Sequence, residues 1–159
     1  MKEFLVRKAK KEDMKDVYEM IKGLAIFEKM PNEVKISPET LQKDGFGPNP
    51  TFHCFVAELN SEIIGFTIYY YCYSTWLGTS IFLEDLFVKE EFRKQGVGEE
   101  LFKKVAKLAH ESSHRLDFHV LRWNPAVDFY KKLGAIDLTK TEEWHLYRLN
   151  DEALNKLFS

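Results

Sequence analysis

The sequence has few cysteines, no long apolar run and almost no surplus charge. Each shortage removes a class of protein. Two cysteines in 159 residues, Cys54 and Cys72, are too few for a disulfide scaffold. Both lie in apolar, strand-like runs; one disulfide between them is an option, but two free thiols in a cytoplasmic core are expected. A net charge of -2 lacks the basic footprint of a nucleic-acid binder. No apolar stretch approaches the length of a membrane span. The opening MKEFLVRKAKKED lacks the apolar centre of a signal peptide. There is no internal repeat, low-complexity tract or linker. What is present is an ordinary globular balance, 45% hydrophobic and 30% charged, with aromatics raised to 14%. The expectation is one cytoplasmic domain over residues 1–159, without nucleic-acid or membrane partners and with a sizeable core.

FLVRKA predicts a short first strand. Helical spacing of Met14, Val17, Met20 (or Ile21) and Leu24 predicts a helix from about Glu12 to Glu28. Ser37-Pro38-Glu39 reads as an N-cap, a proline at the first helical position and an acid in the first turn, opening a short second helix. TFHCFVAEL and IIGFTIYYYCY, separated by Asn60-Ser61-Glu62, predict a hairpin. SIFLEDLFV adds a third long strand after a Trp76-Leu77-Gly78 turn. A helix over about Gly98 to Glu111, a strand at LDFHVL and a short helix over Pro125 to Leu133 follow. GAIDL is expected to begin a last strand region, WHLYRL to be the final strand, and DEALNKLF a terminal helix. The fold class is a mixed α/β (α+β) domain with a central antiparallel meander and later β-α-β crossovers.

HESSH, from His110 to His114, matches the H-E-x-x-H of zinc metalloproteases. Its helix argues otherwise. Leu101, Val105, Leu108 and Ala109 form the apolar stripe, with Phe102 and Ala106 beside it. Lys103, Lys107, His110 and His114 share the solvated one, so the histidines sit above two lysines, a poor place for a dication. Glu99 and Lys103, and Glu100 and Lys104, have the spacing of surface pairs. No third ligand follows at a zincin spacing, and no metal site is expected.

RKQGVG, from Arg93 to Gly98, is more informative. It matches R-x-x-G-x-G between a strand and a helix. Glycines allow a tight turn and close approach of backbone to a ligand. The helix start offers unpaired N–H groups and the positive end of its dipole, which suits a pyrophosphate; a plain tight turn is the simpler alternative. The loop is no Walker loop, because Glu99 follows Gly98. It is no dinucleotide fingerprint either, because Leu101 stands where a third glycine belongs and the strand ends too early.

Strand, R-x-x-G-x-G, helix, strand, then an Asn and a later Tyr on a short helix is a pattern that resembles the GNAT N-acetyltransferase superfamily. IKGLAIFEKM, DGFG-x-x-P, FHCFVAE, IYYY, STW-x-G, FLEDLFV, WN…FY and GA-x-DLT…W follow in order. Across nearly its whole length the chain resembles the spermidine/spermine (diamine) N-acetyltransferases and their thialysine-type relatives. The resemblance implies a GNAT fold, with a mostly antiparallel sheet flanked by helices and acetyl-CoA bound where the fourth and fifth strands splay apart. It implies pyrophosphate contacts at Arg93, Lys94, Gln95, Gly96, Val97, Gly98 and Glu99. Leu86, Phe87 and Val88 would run along the pantetheine, one N–H polarising the thioester carbonyl, with Asn124 also at the cofactor.

The resemblance makes Tyr130 the acid that protonates the leaving thiolate. An amine near pKa 10.4 is only about one part in a thousand unprotonated at pH 7, so a base is needed. Glu84 is the implied base. Neighbours on a regular strand face opposite sides, so Glu84 and Asp85 would share the site only across a bulge. Phe27, Glu28, Asp85 and Glu142 are the implied lining of the amine site, Glu28 and Glu142 otherwise being ordinary surface acids. Two features depart from the pattern. Ser74 stands where polyamine-specific members carry an Asp, which shifts the expected substrate toward thialysine, lysine-like amines or short diamines. Asn124 and Tyr130 are one residue closer than usual, so that Pro125 would start the helix directly. The expected activity is direct transfer of acetyl to a small cationic amine in a ternary complex, by an intertwined homodimer. A peptide or protein N-acetyltransferase and a non-catalytic CoA-binding module are the alternatives.

Overall fold

The computed structural model describes residues 3–113 and 115–158. They fall into two compact units, Met1–His119 and Val120–Ser159. The first unit holds one sheet in the order β1-β2-β3-β4-β5: β1 (Leu5–Lys8), β2 (His53–Leu59), β3 (Glu62–Ser74), β4 (Gly78–Val88) and β5 (Leu116–Phe118). The first four are antiparallel neighbours, and β5 joins β4 in parallel. The sheet is therefore mixed and mostly antiparallel, as expected.

Helix α1 (Met14–Phe27), entered through a 3-10 turn at Lys11–Asp13, and α2 (Pro38–Phe46) cover one face. Met14, Val17 and Met20, spaced along one stripe of α1, meet Leu41 of α2 and the strand residues Cys54, Val56, Phe66 and Ile68, all buried. The Ser37 side chain accepts from the Thr40 N–H at 3.2 Å and Pro38 opens the helix, as its sequence predicts. Helix α3 (Val97–Ser112) packs on β2, β3 and β4. It buries Leu101, Phe102, Val105 and Ala109 of the expected stripe, and Val97 at its start, while Ala106 and Leu108 are only partly buried. Burying a side chain of this size contributes roughly 1.5–3 kcal/mol.

Both cysteines are free, Cys54 buried and Cys72 partly so. His110 is exposed and Glu111 faces Lys107 at 3.7 Å; His114, the second histidine of HESSH, lies outside the described residues. Lys103 takes both nearby acids, Glu99 at 2.7 Å and Glu100 at 3.5 Å, where Lys104 had been the expected partner of Glu100.

The second unit contains α4 (Ala126–Lys132), α5 (Leu138–Thr141) and α6 (Asp151–Leu157). Neither strand expected here is found among the described residues. GAIDL does not begin a strand because Gly134 ends α4: its φ is +92°. The Gly134 N–H donates to the Lys131 carbonyl at 3.0 Å and the Ala135 N–H to the Tyr130 carbonyl at 3.1 Å, a Schellman cap. WHLYRL has strand-forming residues, but the second unit has no strand among its described residues to pair with it, and sheet propensity depends on such a neighbour. Trp144, Leu146 and Tyr147 stand 73%, 79% and 89% exposed.

Candidate active site

The β3–β4 ladder is regular except at one point. Ile68 pairs with Asp85 and Tyr69 with Leu83, so Glu84 is the extra residue of a β-bulge. A regular strand would turn Glu84 and Asp85 to opposite faces. The bulge instead lets both line one cleft of about 360 Å³, an outcome the sequence left conditional. Tyr70 and Asp44 line the same cleft, and neither was picked out from the sequence. Tyr70 donates its hydroxyl to Glu84 Oε2 at 3.1 Å and stacks on Phe82 with ring centroids 5.4 Å apart. Its position in the alternation of IYYY, across a hairpin from FLEDLFV, was the available signal. Burial and the neighbouring Glu84 push the Tyr70 phenol up to about 12.

Asp85 has no hydrogen-bond donor or cation on its carboxylate among the described residues. Burial, then the charges of Glu84 and Glu28, push it up to about 7. Glu28 caps the C-terminal end of α1, where no basic residue occupies the last turn, and burial raises its carboxyl too. Asp85 thus sits among acids, with no cation on its carboxylate among the described residues. Such an arrangement favours a cationic ligand that supplies the missing charge.

Beyond the bulge, β4 continues through Leu86, Phe87 and Val88, all partly buried and paired only to β3. Strand β5 pairs with β4 only at Ile81, Phe82 and Leu83, so β5 does not reach the end of β4 at Leu86 to Val88. Arg93 donates from Nε to the Val88 carbonyl at 2.9 Å. Its guanidinium lies 5.4 Å from the Phe87 ring centre and 5.8 Å from that of Phe27. Arg93 therefore ties the R-x-x-G-x-G loop to the end of β4 and to α1, and Phe27 supports that tie.

The loop turns through two left-handed residues, Lys94 at φ +59° and Gly96 at φ +85°. Open space surrounds Gly96, so its backbone conformation, not crowding, calls for glycine there. Gly96 caps α3. The first internal bond of the helix is Glu100 N–H to the Gly96 carbonyl at 3.0 Å, which leaves the N–H groups of Val97, Gly98 and Glu99 ahead of it. Gln95 is held by its side-chain amide on the Glu91 carbonyl at 3.1 Å.

In the second unit Tyr130 is the buried residue of α4, and burial pushes its phenol up to about 12. The phenol is thus protonated at neutral pH, as a proton donor must be. Its ring meets Phe129 edge-on, centroids 5.1 Å apart. The Asn124 side-chain oxygen accepts from the Ala126 N–H at 2.9 Å, so Asn124 caps α4, and Pro125, already in helical conformation, starts it. Glu142 is exposed and accepts from the Trp144 indole at 3.1 Å. Ser74 is also occupied: its hydroxyl accepts from the Trp76 and Leu77 N–H groups at 3.2 and 3.3 Å, fixing the β3–β4 turn.

Residues 15–135 match the acetyltransferase (GNAT) family. The thialysine N-epsilon-acetyltransferase of Sus scrofa is 46% identical over 167 residues, covering 99% of this chain and 98% of that protein. The protein of the same name from Caenorhabditis elegans is 37% identical, covering 98% of each. A spermidine/spermine N(1)-acetyltransferase-like protein of Homo sapiens is 35% identical over 95% of this chain and 23% of its own length. Among solved structures, an integron cassette protein from V. cholerae superposes with a TM-score of 0.78 at 25% identity, covering 99% of this chain and 98% of its own.

Proposed function

The chain belongs to the GNAT acetyltransferase family and is an amine N-acetyltransferase that draws on acetyl-CoA; from that premise we propose that it acetylates the primary amine of a small cationic substrate by direct transfer. The observation that carries this is the bulge at Glu84, which sets two carboxylates in one cleft immediately before the end of β4 that β5 does not reach. The cleft's negative charge would bind the ammonium and favour its approach. Glu84, oriented by Tyr70, would accept the proton the ammonium must lose, directly or through water. The amine nitrogen then bonds to the thioester carbonyl carbon, the carbon–sulfur bond breaks, the Tyr130 phenol gives its proton to the departing sulfur, and the nitrogen's second excess proton passes through solvent back to the phenolate. The N–H groups of Val97, Gly98 and Glu99, with the loop from Arg93 to Gly96, would hold the pyrophosphate. Leu86, Phe87 and Val88 would line the pantetheine, and one N–H of that stretch would polarise the carbonyl. Glu28 and Asp85 would line the amine site with Phe27. Glu142 and Asn124 complete the proposed set from the second unit, at the amine and the cofactor respectively.

Ser74 supports thialysine-like or short amines over long polyamines, since its hydroxyl carries no charge and is spent on the turn. The name of the porcine and nematode relatives points the same way. A cytoplasmic homodimer completes the proposal: the strand-forming but unpaired WHLYRL segment is a surface that a second copy would cover. The test is release of free CoA thiol on mixing the protein with acetyl-CoA and thialysine, lysine, putrescine, spermidine, spermine or a basic peptide. Thialysine or a short diamine should react fastest. Tyr130→Phe should lower kcat by about a hundredfold with little change in KM. Acetylation of the peptide alone would contradict the small-amine reading.

A further inference from the structure

We infer that Asp44 is a specificity residue: it holds the far cationic end of a substrate whose near amine reacts beside Glu84 and Asp85. This rests on the amine-acetyltransferase reading of the cleft. Three observations support it. Asp44 lines the same cleft as Glu84 and Asp85, yet comes from α2 and not from β4. Its carboxylate meets no cation and accepts no hydrogen bond among the described residues. It also sits in the last turn of α2, where the helix dipole disfavours an acid; the exposed Lys43 beside it makes no ion pair with it.

The backbone holds Asp44 in this unfavoured place. The Thr51 N–H and hydroxyl donate to the Asp44 carbonyl at 2.8 and 3.3 Å. The next residue is Gly45, where a side chain would meet the Phe52 ring at 2.6 Å. Residues 44–52 are thus folded back on themselves through close backbone contact, and the Asp44 side chain is not what maintains the turn. The rest of the lining is mostly apolar, with Ile21, Ile36, Leu41, Phe52 and Ile68. Acid, hydrocarbon wall and acid suit a ligand with a cation at each end and methylenes between. Glu28 is the C-cap of α1, a helix end where the dipole favours a cation. A distal carboxylate alone would be repelled by Asp44, whereas a distal ammonium, including the α-ammonium of thialysine, would be held.

The experiment compares 1,5-diaminopentane with n-pentylamine on the wild type and Asp44→Asn, which preserves shape and the backbone bonds. For the diamine, Asp44→Asn should raise KM by about tenfold or more with kcat little changed. For the monoamine, KM should stay put or fall. Asp44→Glu should restore part of the preference, which a merely structural role would not do. An equal change for both amines, or none for either, overturns the inference. A second readout does not depend on turnover: the diamine should raise the Tm of the wild type more than that of Asp44→Asn. If no amine is acetylated, the enzymatic reading fails; a diamine shift that needs Asp44 still upholds its role, and equal shifts in both proteins overturn it.

Discussion

Asp13 and Asp85 are both aspartates withdrawn from solvent in the first unit, yet their carboxyls move in opposite directions. Burial pushes Asp13 up, but hydrogen bonds from Arg7 and the Lys10 N–H outweigh it and hold the carboxyl below its ordinary value. Arg7 grips it with Nη1 at 2.7 Å and Nη2 at 3.1 Å, and reaches Glu58 through Nε at 2.6 Å. Asp85 is partly buried, and its charged neighbours are Glu84 and Glu28. The first arrangement spends charge on structure, joining β1, β2 and the entry to α1. The second leaves charge unbalanced inside a cleft. A buried charge without a partner destabilises the free protein, so the cleft is best explained by what binds in it.

The largest effect should come from breaking the paired region. Asp13→Ala leaves Arg7 half-satisfied and should cost about 3 kcal/mol in denaturant unfolding, with little change in kcat per folded molecule. Because the Asp13 carboxyl titrates lower in the folded than in the unfolded chain, its contribution is present above the ordinary aspartate pKa of about 3.9. It is lost as pH falls through the lowered value. Stability measured from pH 5 down to pH 2 should show this loss in the wild type and not in Asp13→Ala.

The unpaired region should respond in the opposite sense. Asp85→Asn should lower kcat/KM for cationic amines by about a hundredfold and, unlike Asp13→Ala, stabilise the free protein. A smaller effect should follow Tyr70→Phe, which frees Glu84 without removing it: about a threefold loss in kcat, largest where Glu84 must be held in one orientation, and no loss of stability. A stability loss as large as that of Asp13→Ala would place Tyr70 among the structural pairs.

These two regions were not equally legible in the sequence. The five strands of the first unit, the cap at Ser37 and most of the apolar stripes of α1 and α3 follow from local period and turn chemistry and stand as expected; the strands read at GAIDL and WHLYRL do not appear among the described residues. The Glu84–Asp85 pair was readable as a question, since alternation forbids what a bulge permits, and only the register answers it. Tyr70 and Asp44 were not found, because their meeting depends on a hairpin crossing and on the end of a separate helix. Gly134 misled: the same glycine that can open a turn into a strand here terminates α4, and only its left-handed φ tells the two apart. WHLYRL carries strand propensity, but among the described residues its own unit holds no strand to pair with it, which no local pattern reveals.

The most direct measurement is the stability of the wild type and Asp85→Asn by denaturant unfolding from pH 4 to pH 9. Asp85 titrates at about 7 when folded and near 3.9 when unfolded. Between those values the folded chain keeps a proton that the unfolded chain has lost, so wild-type stability should fall as pH rises. The advantage of Asp85→Asn should therefore grow from pH 4 to about pH 7 and level off above it. A variant no more stable than the wild type at pH 8 would show that Asp85 is already balanced by the fold, and would contradict the claim that the cleft keeps its charge for a cationic substrate.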